Sequence, residues 1–392
     1  MINTSEHLAP RRIYLDGNSL GPPSDDMAGR LADFVTNEWH ADLIGGWNGH
    51  GWWDLPSTIG DRIAPIIGSG PGQVIVGDTT TVMLYKALVA GLHLRPGRPW
   101  VVTHTGNFPT DRHVLDGVAR QFSAQVEAVP AEEMVDAICD GTAIVYATHV
   151  DFRSGARLDM AAITQAAHDK GAVVVWDLSH SAGAMDLHLD RDGVDLAVGC
   201  SYKFLNGGPG APAFLYAAQR HHDGLVNAIP GWIGDAQPFA MSEEYHPAAG
   251  MRRMLSGTSP VIALRALGAA LDGFDGADMR TLRSHSVALT ERFIARVDQR
   301  LASHGFEVAS PRDAATRGSH VSLAHPEAYA ITQATIAAGV VGDFREPNLC
   351  RFGFAPLYLT FDDVEDAIDR IVQVMESAAW QDPKFAERQA VT

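Results

Sequence analysis

Cysteine is scarce in this chain, and cations are outnumbered. Three cysteines, Cys139, Cys200 and Cys350, stand among 392 residues, an odd number with no CxxC or similar pair. That disfavours a disulfide framework or a structural zinc site and points to a reducing compartment, the cytoplasm. Lysine and arginine total 30 against 47 acidic residues, a formal net charge of −17. Nucleic acid and anionic membrane surfaces both need a basic face, so neither is expected as a partner. A small anionic substrate stays open, because a few local arginines can dominate a pocket. No apolar run approaches the roughly 18 residues that suggest a membrane span. Residues 1–10 lack the apolar stretch of a signal peptide. His149, His221 and His222 have no acid or cysteine at ligand spacing, so no metal is expected.

What the chain does have is apolar material, 46% of its 392 residues, enough for more than one core. Residues 1–45 carry a turn-rich stretch, Asp16-Gly17-Asn18-Ser19-Leu20-Gly21-Pro22-Pro23, followed by helical spacing over 27–39. From 74 to 217 short apolar runs alternate with helix-like segments. Strands are expected at 74–76, 100–105, 143–150, 172–178, 195–201 and 211–217, and helices at 80–92, 110–121 and 159–170. That alternation predicts an α/β fold, a mainly parallel, doubly wound sheet covered on both faces. Beyond Pro260, long helices at 261–271, 282–301, 328–338 and 364–378 mix with short strands at 306–309, 320–323 and 351–354. The domains expected are an N-terminal segment, 1–45, packing on the small domain, a large domain, 46–260, and a smaller C-terminal α+β domain, 261–392.

Chemistry concentrates between residues 172 and 210. Asp177 follows four apolar residues, at the carboxyl end of a buried-type strand. In open α/β sheets ligands bind outside that edge. An acid there can accept from a heterocyclic N–H and keep the ring protonated, which makes a pyridinium an electron sink. Lys203 follows the next strand, flanked by Ser201 and by the Gly-rich 206–210. A lysine amine so placed forms Schiff bases with carbonyls. Taken singly, Asp177 also reads as a cap and Lys203 as a loop lysine; the pair reads as a site for pyridoxal phosphate. Gly77-Asp78-Thr79-Thr80-Thr81 precedes a helix, where hydroxyls and N–H groups make an anion site or an ordinary cap.

With these landmarks the chain resembles the kynureninase family, fold-type I pyridoxal-phosphate enzymes of the class V aminotransferase superfamily. The resemblance spans residues 14 to 363. It is carried by Leu15-Asp16-Gly17-Asn18-Ser19-Leu20-Gly21, Asp78-Thr79-Thr80-Thr81, Asn107-Phe108-Pro109-Thr110-Asp111 and Trp176-Asp177-Leu178-Ser179-His180. Ser201-Tyr202-Lys203-Phe204-Leu205-Asn206, Gly231-Trp232 and Arg351 before Pro356-Leu357-Tyr358 complete it. It implies that Lys203 holds the cofactor and moves protons at the substrate Cα, and that Asp177 pairs with the pyridine nitrogen. It implies that Phe108 stacks on the ring, that Asp111 sits near its edge, and that Thr80, Thr81, His180 and Tyr202 bind phosphate or nearby atoms, with Thr148 close by. Trp232 and Thr258 resemble residues that complete the site from a neighbouring subunit of a homodimer. Arg351 resembles the arginine that grips the substrate α-carboxylate, and Ser19 also falls among the substrate-binding positions. Without the resemblance, Phe108 reads equally as core, Trp232 as a packing anchor and Arg351 as a surface ion pair.

The resemblance implies hydrolytic Cβ–Cγ cleavage of L-kynurenine or 3-hydroxy-L-kynurenine to anthranilate or 3-hydroxyanthranilate and L-alanine, in tryptophan catabolism or NAD biosynthesis. Tyr202 is the candidate for relaying a proton to Cβ. One departure is His113, where the family has a tyrosine. Another is the crowding of Trp39, Trp47, Trp52 and Trp53, which either line the aryl pocket or simply pack. The rival readings are a related lyase such as a cysteine desulfurase, which needs a mobile nucleophilic cysteine, and a cofactor-binding protein without catalysis.

Overall fold

The structure, a computed structural model, describes residues 11–388. The reading of residues 1–10 as lacking a signal peptide lies outside the described residues. The chain divides into two compact units. The larger comprises Ser19–Phe152 and Arg157–Arg283; the smaller takes the described residues 11–18, Arg153–Ala156 and 284–388.

Strand β1 (Ile13–Tyr14) belongs to the smaller unit. The larger is built on seven strands: β2 (Val74–Gly77), β3 (Trp100–His104), β4 (Gln125–Val129), β5 (Thr142–Thr148), β6 (Val173–Asp177), β7 (Leu196–Gly199) and β8 (Ala213–Ala217). They lie in the order β2-β8-β7-β6-β5-β3-β4, and only β8 runs against the rest. Every residue of β5 through β8 is buried. This is why they read as unbroken apolar runs: strands covered on both faces leave no polar side to alternate with. Strand β4 was missed by the sequence pattern, because it is an edge strand with no buried residue. Helix Thr80–Leu94 packs across β5 to β8. It starts where Thr79 accepts from the Val82 N–H, and Asp159 caps Met160–Asp169 in the same way. The helix expected over 27–39 forms as Met27–Asp33 and continues in π-helical form over Phe34–His40.

The division of the chain differs from the boundary expected at Pro260. Helix Val261–Leu271 stays with the larger unit, packed on helices Met27–Asp33 and Leu55–Ile63. The guanidinium of Arg62 donates to the Gly268 carbonyl at 2.7 Å and pairs with Asp272 at 2.8 Å. Proline ends one element without saying which core the next one joins. The division falls instead at Arg283 and Ser284. Likewise only residues 11–18 of the N-terminal segment go with the smaller unit; those from Ser19 onward join the larger.

The smaller unit carries β9 (Glu307–Val308), β10 (His320–Ala324), β11 (Val340–Val341), β12 (Asp343–Arg345) and β13 (Leu349–Gly353). Antiparallel pairing gives β12-β13-β10-β9, and β1 pairs in parallel with β11. Helix Phe361–Glu376 buries Val364, Ala367, Ile368, Ile371, Val372 and Met375, one stripe at helical spacing. Thr360 and Asp363 close a capping box at its start. Phe293 anchors this core against Phe352 and Phe354, with ring centroids 5.3 and 5.0 Å away. Among the described residues no helix is long and apolar enough to cross a membrane, and no cluster of three or more His, Cys, Asp or Glu side chains could hold a metal.

His149 ties the carboxyl end of β5 to β6. Its N–H donates to the Asp177 carbonyl at 3.0 Å, its Nδ1 lies 2.8 Å from Ser181 Oγ, and its ring meets Trp176 edge-on. Burial first, then the cations Arg157 and Arg283, push its pKa down from 6.5 to about 3. The folded chain therefore keeps His149 neutral at pH values where the unfolded chain takes up a proton. Stability from this group is complete above pH 6.5 and is lost as the pH falls toward about 3. His149→Gln is expected to flatten that acid slope by up to a few kcal/mol over the window. Urea unfolding of both proteins across the window is the check, and parallel slopes would count against it.

Candidate active site

Strand polarity decides where the site lies. Because β2, β3, β5, β6 and β7 all point the same way, the turns after them emerge at one edge of the sheet. Those turns carry Asp78–Thr81, Asn107–Asp111, His149, Ser179–His180 and Ser201–Asn206 in the sequence. Thr148 and Asp177 face each other as paired residues at the ends of β5 and β6, and Asp177 also pairs with Val198 of β7.

Asp177 is 5% exposed. Its Oδ1 accepts from the Ser179 N–H at 2.8 Å and from the Ser179 hydroxyl at 2.6 Å. That turn fixes the carboxylate plane. Asp111, in the first turn of helix Pro109–Phe122, is equally buried. Burial first, then the charge of Asp177, push Asp111 well above the usual carboxylate range. Two carboxylates sharing a dry site cannot both ionise cheaply, which favours the protonated form of Asp111. Thr148 Oγ donates to Asn107 and lies 3.5 Å from Asp111. Asn107 in turn donates to Thr103 and accepts from the Phe108 N–H at 2.9 Å. This pins Phe108, whose ring is 38% exposed and set edge-on against Phe152. At that exposure it is not plain core.

Lys203 is half-buried, with Nζ 3.2 Å from His180 Nε2 and 5.9 Å from the Tyr202 ring centre. Burial, then the neighbouring Cys200, push the Tyr202 phenol up, so it stays protonated and able to donate. Thr80 and Thr81 begin the helix after β2, at the same sheet edge. The chemistry of this donor set fits pyridoxal phosphate. A lysine amine could meet the aldehyde, a buried acid the ring nitrogen, a partly exposed aromatic the ring and a helix start the phosphate.

Not every expected residue joins this cluster. Trp232 and Thr258 are exposed; Trp232 packs with Trp53 and Phe239, at ring distances of 5.5 and 5.9 Å. Ser19 opens the larger unit and is half-buried. Arg351 belongs to the smaller unit and is 1% exposed, so it is no surface ion pair. Asp343 grips its Nε and Nη2 edge, with Nε–Oδ1 at 2.8 Å, and so sets the guanidinium plane. His113 is exposed on its helix. Trp39, Trp47 and Trp52 line an apolar cavity of about 860 Å³ with Phe34 and Ile262, whereas Trp53 stacks under Arg252.

Two supporting residues were present in the motifs without being singled out. One is Asn107, the hub between Thr148 and Phe108. The other is Gly21, whose N–H donates to the Tyr202 carbonyl at 2.7 Å. A Cβ on Gly21 would stand 2.1 Å from Asn206 Oδ1 and 2.3 Å from the Lys203 carbonyl oxygen. Asn206 itself holds a left-handed backbone, φ 57°, with its N–H on that same Lys203 carbonyl at 2.9 Å. The early Gly-Pro turn thus presses directly on the lysine loop.

The fold is that of the fold-type I enzymes that use pyridoxal phosphate. Among solved structures, the cysteine desulfurase of Thermococcus onnurineus NA1 superposes with a TM-score of 0.77 at 16% identity, covering 93% of this chain and 95% of that one. A C-DES mutant with glycine covalently linked to its PLP cofactor gives 0.80 at 15% identity, over 93% and 97%. At such identities the likeness concerns the fold alone. In sequence, the model described as the kynureninase C-terminal domain matches residues 282–371. The kynureninase of Pseudomonas fluorescens is 42% identical over 408 residues, 100% of this chain and 98% of its own length. That of Burkholderia pseudomallei (strain K96243) is 42% identical over 388 residues, 97% and 93%. The chain belongs to the kynureninase family.

Gly21→Ala is expected to displace the Lys203 loop, costing about 1–3 kcal/mol of stability and slowing formation of the cofactor's absorbance band. Thermal unfolding and absorbance titration with pyridoxal phosphate test this; wild-type behaviour in both would show that the loop does not depend on the close approach.

Proposed function

We propose that this protein hydrolyses the Cβ–Cγ bond of L-kynurenine, or of 3-hydroxy-L-kynurenine, to L-alanine and anthranilate or 3-hydroxyanthranilate. The observation that carries the reading is the full-length likeness, at 42% identity, to curated kynureninases. When bound, pyridoxal phosphate supplies an electron sink for the substrate Cα. Lys203 holds the cofactor and then carries the proton taken from Cα. Asp177 would hold the pyridine nitrogen protonated, and Phe108 would stack on the ring. Asp111 and Thr148 would help hold the ring, and Thr80, Thr81 and His180 the phosphate. Tyr202, kept protonated by burial, gives its proton to Cβ when water has added at Cγ and the aryl carboxylate leaves. Arg351, oriented by Asp343, takes the substrate α-carboxylate, for which a guanidinium fork is matched. Ser19 belongs with the substrate-binding residues.

The active unit in this reading is a homodimer in which Trp232 and Thr258 of one chain complete the site of the other. Its support is the exposure of Trp232, Phe239 and Met241 at 38, 70 and 75%, an apolar patch that a monomer leaves in water. A cytoplasmic location fits the three free thiols.

The desulfurase reading loses support from where the cysteines lie. Cys200 and Cys350 are buried, and burial pushes both thiols up, Cys350 to about 12. Cys139 is exposed but sits in the turn that enters β5, the sheet edge opposite Asp177. None offers a mobile thiolate beside Lys203.

Purified protein with pyridoxal phosphate is expected to release fluorescent anthranilate from L-kynurenine. No anthranilate at high enzyme concentration, with the cofactor band present, would favour a non-catalytic binder. Tyr202→Phe should retain the cofactor band while kcat falls at least about 10²-fold. Arg351→Lys should raise KM for the amino acid more than it lowers kcat, because a point charge replaces a planar fork; an unchanged KM would remove Arg351 from substrate binding.

A further inference from the structure

Lys86 is a fully buried lysine outside the cluster described above. Its side chain has no exposed surface. The ammonium donates to Asp78 Oδ2 at 2.7 Å and to the Met254 carbonyl at 2.7 Å. It starts from the second turn of helix Thr80–Leu94 and reaches back past the helix start, the direction in which helical side chains lean. Asp78 stands two residues before that helix with a left-handed backbone, φ 44°, which Asp tolerates better than most residues with a Cβ. Its own carbonyl accepts from Ala213 at 3.0 Å and so continues the β2–β8 ladder.

A carboxylate beside a phosphate-binding helix start is an electrostatic liability. The N–H groups there attract an anion, while a bare Asp78 would repel it. An ammonium, in turn, is not buried without a partner. The two problems cancel in the pair. We propose that Lys86 is a positioning residue for the phosphate end of the cofactor. It neutralises Asp78 and ties the 77–81 turn to the Met254 turn, so that the helix start faces the phosphate without a competing charge. This inference rests on the cofactor reading above.

The test is equilibrium binding of two probes to the apoenzyme, pyridoxal phosphate and unphosphorylated pyridoxal, followed by absorbance of the Lys203 adduct. Lys86→Met should weaken pyridoxal phosphate at least about tenfold and pyridoxal less than about threefold, because only the former meets the uncompensated Asp78. The double variant Asp78→Asn with Lys86→Met should recover most of the loss. Equal losses for both probes, or no recovery in a folded double variant, overturn the proposal. If Lys86→Met does not fold, Asp78→Asn alone decides. It keeps the ammonium and removes the negative charge, so it should bind pyridoxal phosphate as tightly as wild type or tighter. A loss beyond about tenfold for that probe, with pyridoxal unaffected, overturns the neutralisation. Failure of the wild-type protein to take up either probe is a separate result that removes the cofactor reading and this inference together.

Discussion

A carboxylate buried at the end of an apolar strand constrains everything around it. Asp177 is placed where water is largely excluded, so its oxygens need donors. Ser179 supplies two on one oxygen, through a turn that the strand end makes available. Burial first, and then the neighbouring Asp177 carboxylate, push Asp111 toward its neutral form. Thr148, Asn107 and Phe108 then follow as a chain of hydrogen bonds leading to an exposed aromatic face. The site is less a set of independent residues than the settlement of one buried charge.

The same logic recurs on other strands of the larger unit. Lys86 and Asp78 settle a buried charge before helix Thr80–Leu94. At the opposite sheet edge Asp195 is buried too, and His168, His221, Arg220 and the Val174 N–H all converge on it. Those contacts outweigh burial and hold its carboxyl well below the usual range. The two edges differ in outcome. At Asp195 protein donors hold both oxygens; at Asp177 the two Ser179 donors share Oδ1.

Much of this was legible as sequence. The buried strands announced themselves because a doubly covered sheet is mostly apolar, and an acid after Val173-Val174-Val175-Trp176 stands out for the same reason. The capping or anion-binding stretch at 77–81, the helix at 159–170 and a last helix over 364–378 were equally visible. The failures also have causes. Edge strand β4 has no buried face to produce a pattern. The end of the larger unit was misplaced by some 20 residues, because helix Val261–Leu271 is apolar enough to suit either core. Lys86 went unnoticed because a lysine in a helix normally reaches solvent.

The sequence by itself determined the fold class, the order of the main buried strands and, through the resemblance, the family, and it singled out Lys203 and Asp177 as the candidate cofactor pair. These depend on local periodicity and on short motifs whose chemistry is intrinsic to the residues. Only the tertiary structure decided which groups meet. Gly21 presses on the Lys203 loop across 182 positions of chain, and Asp111 approaches Asp177, at the end of a strand, from helix Pro109–Phe122. Arg351 gains its orientation from Asp343 on the neighbouring strand. Such pairings arise from strand polarity and register, which bring distant residues together at distances no local pattern encodes.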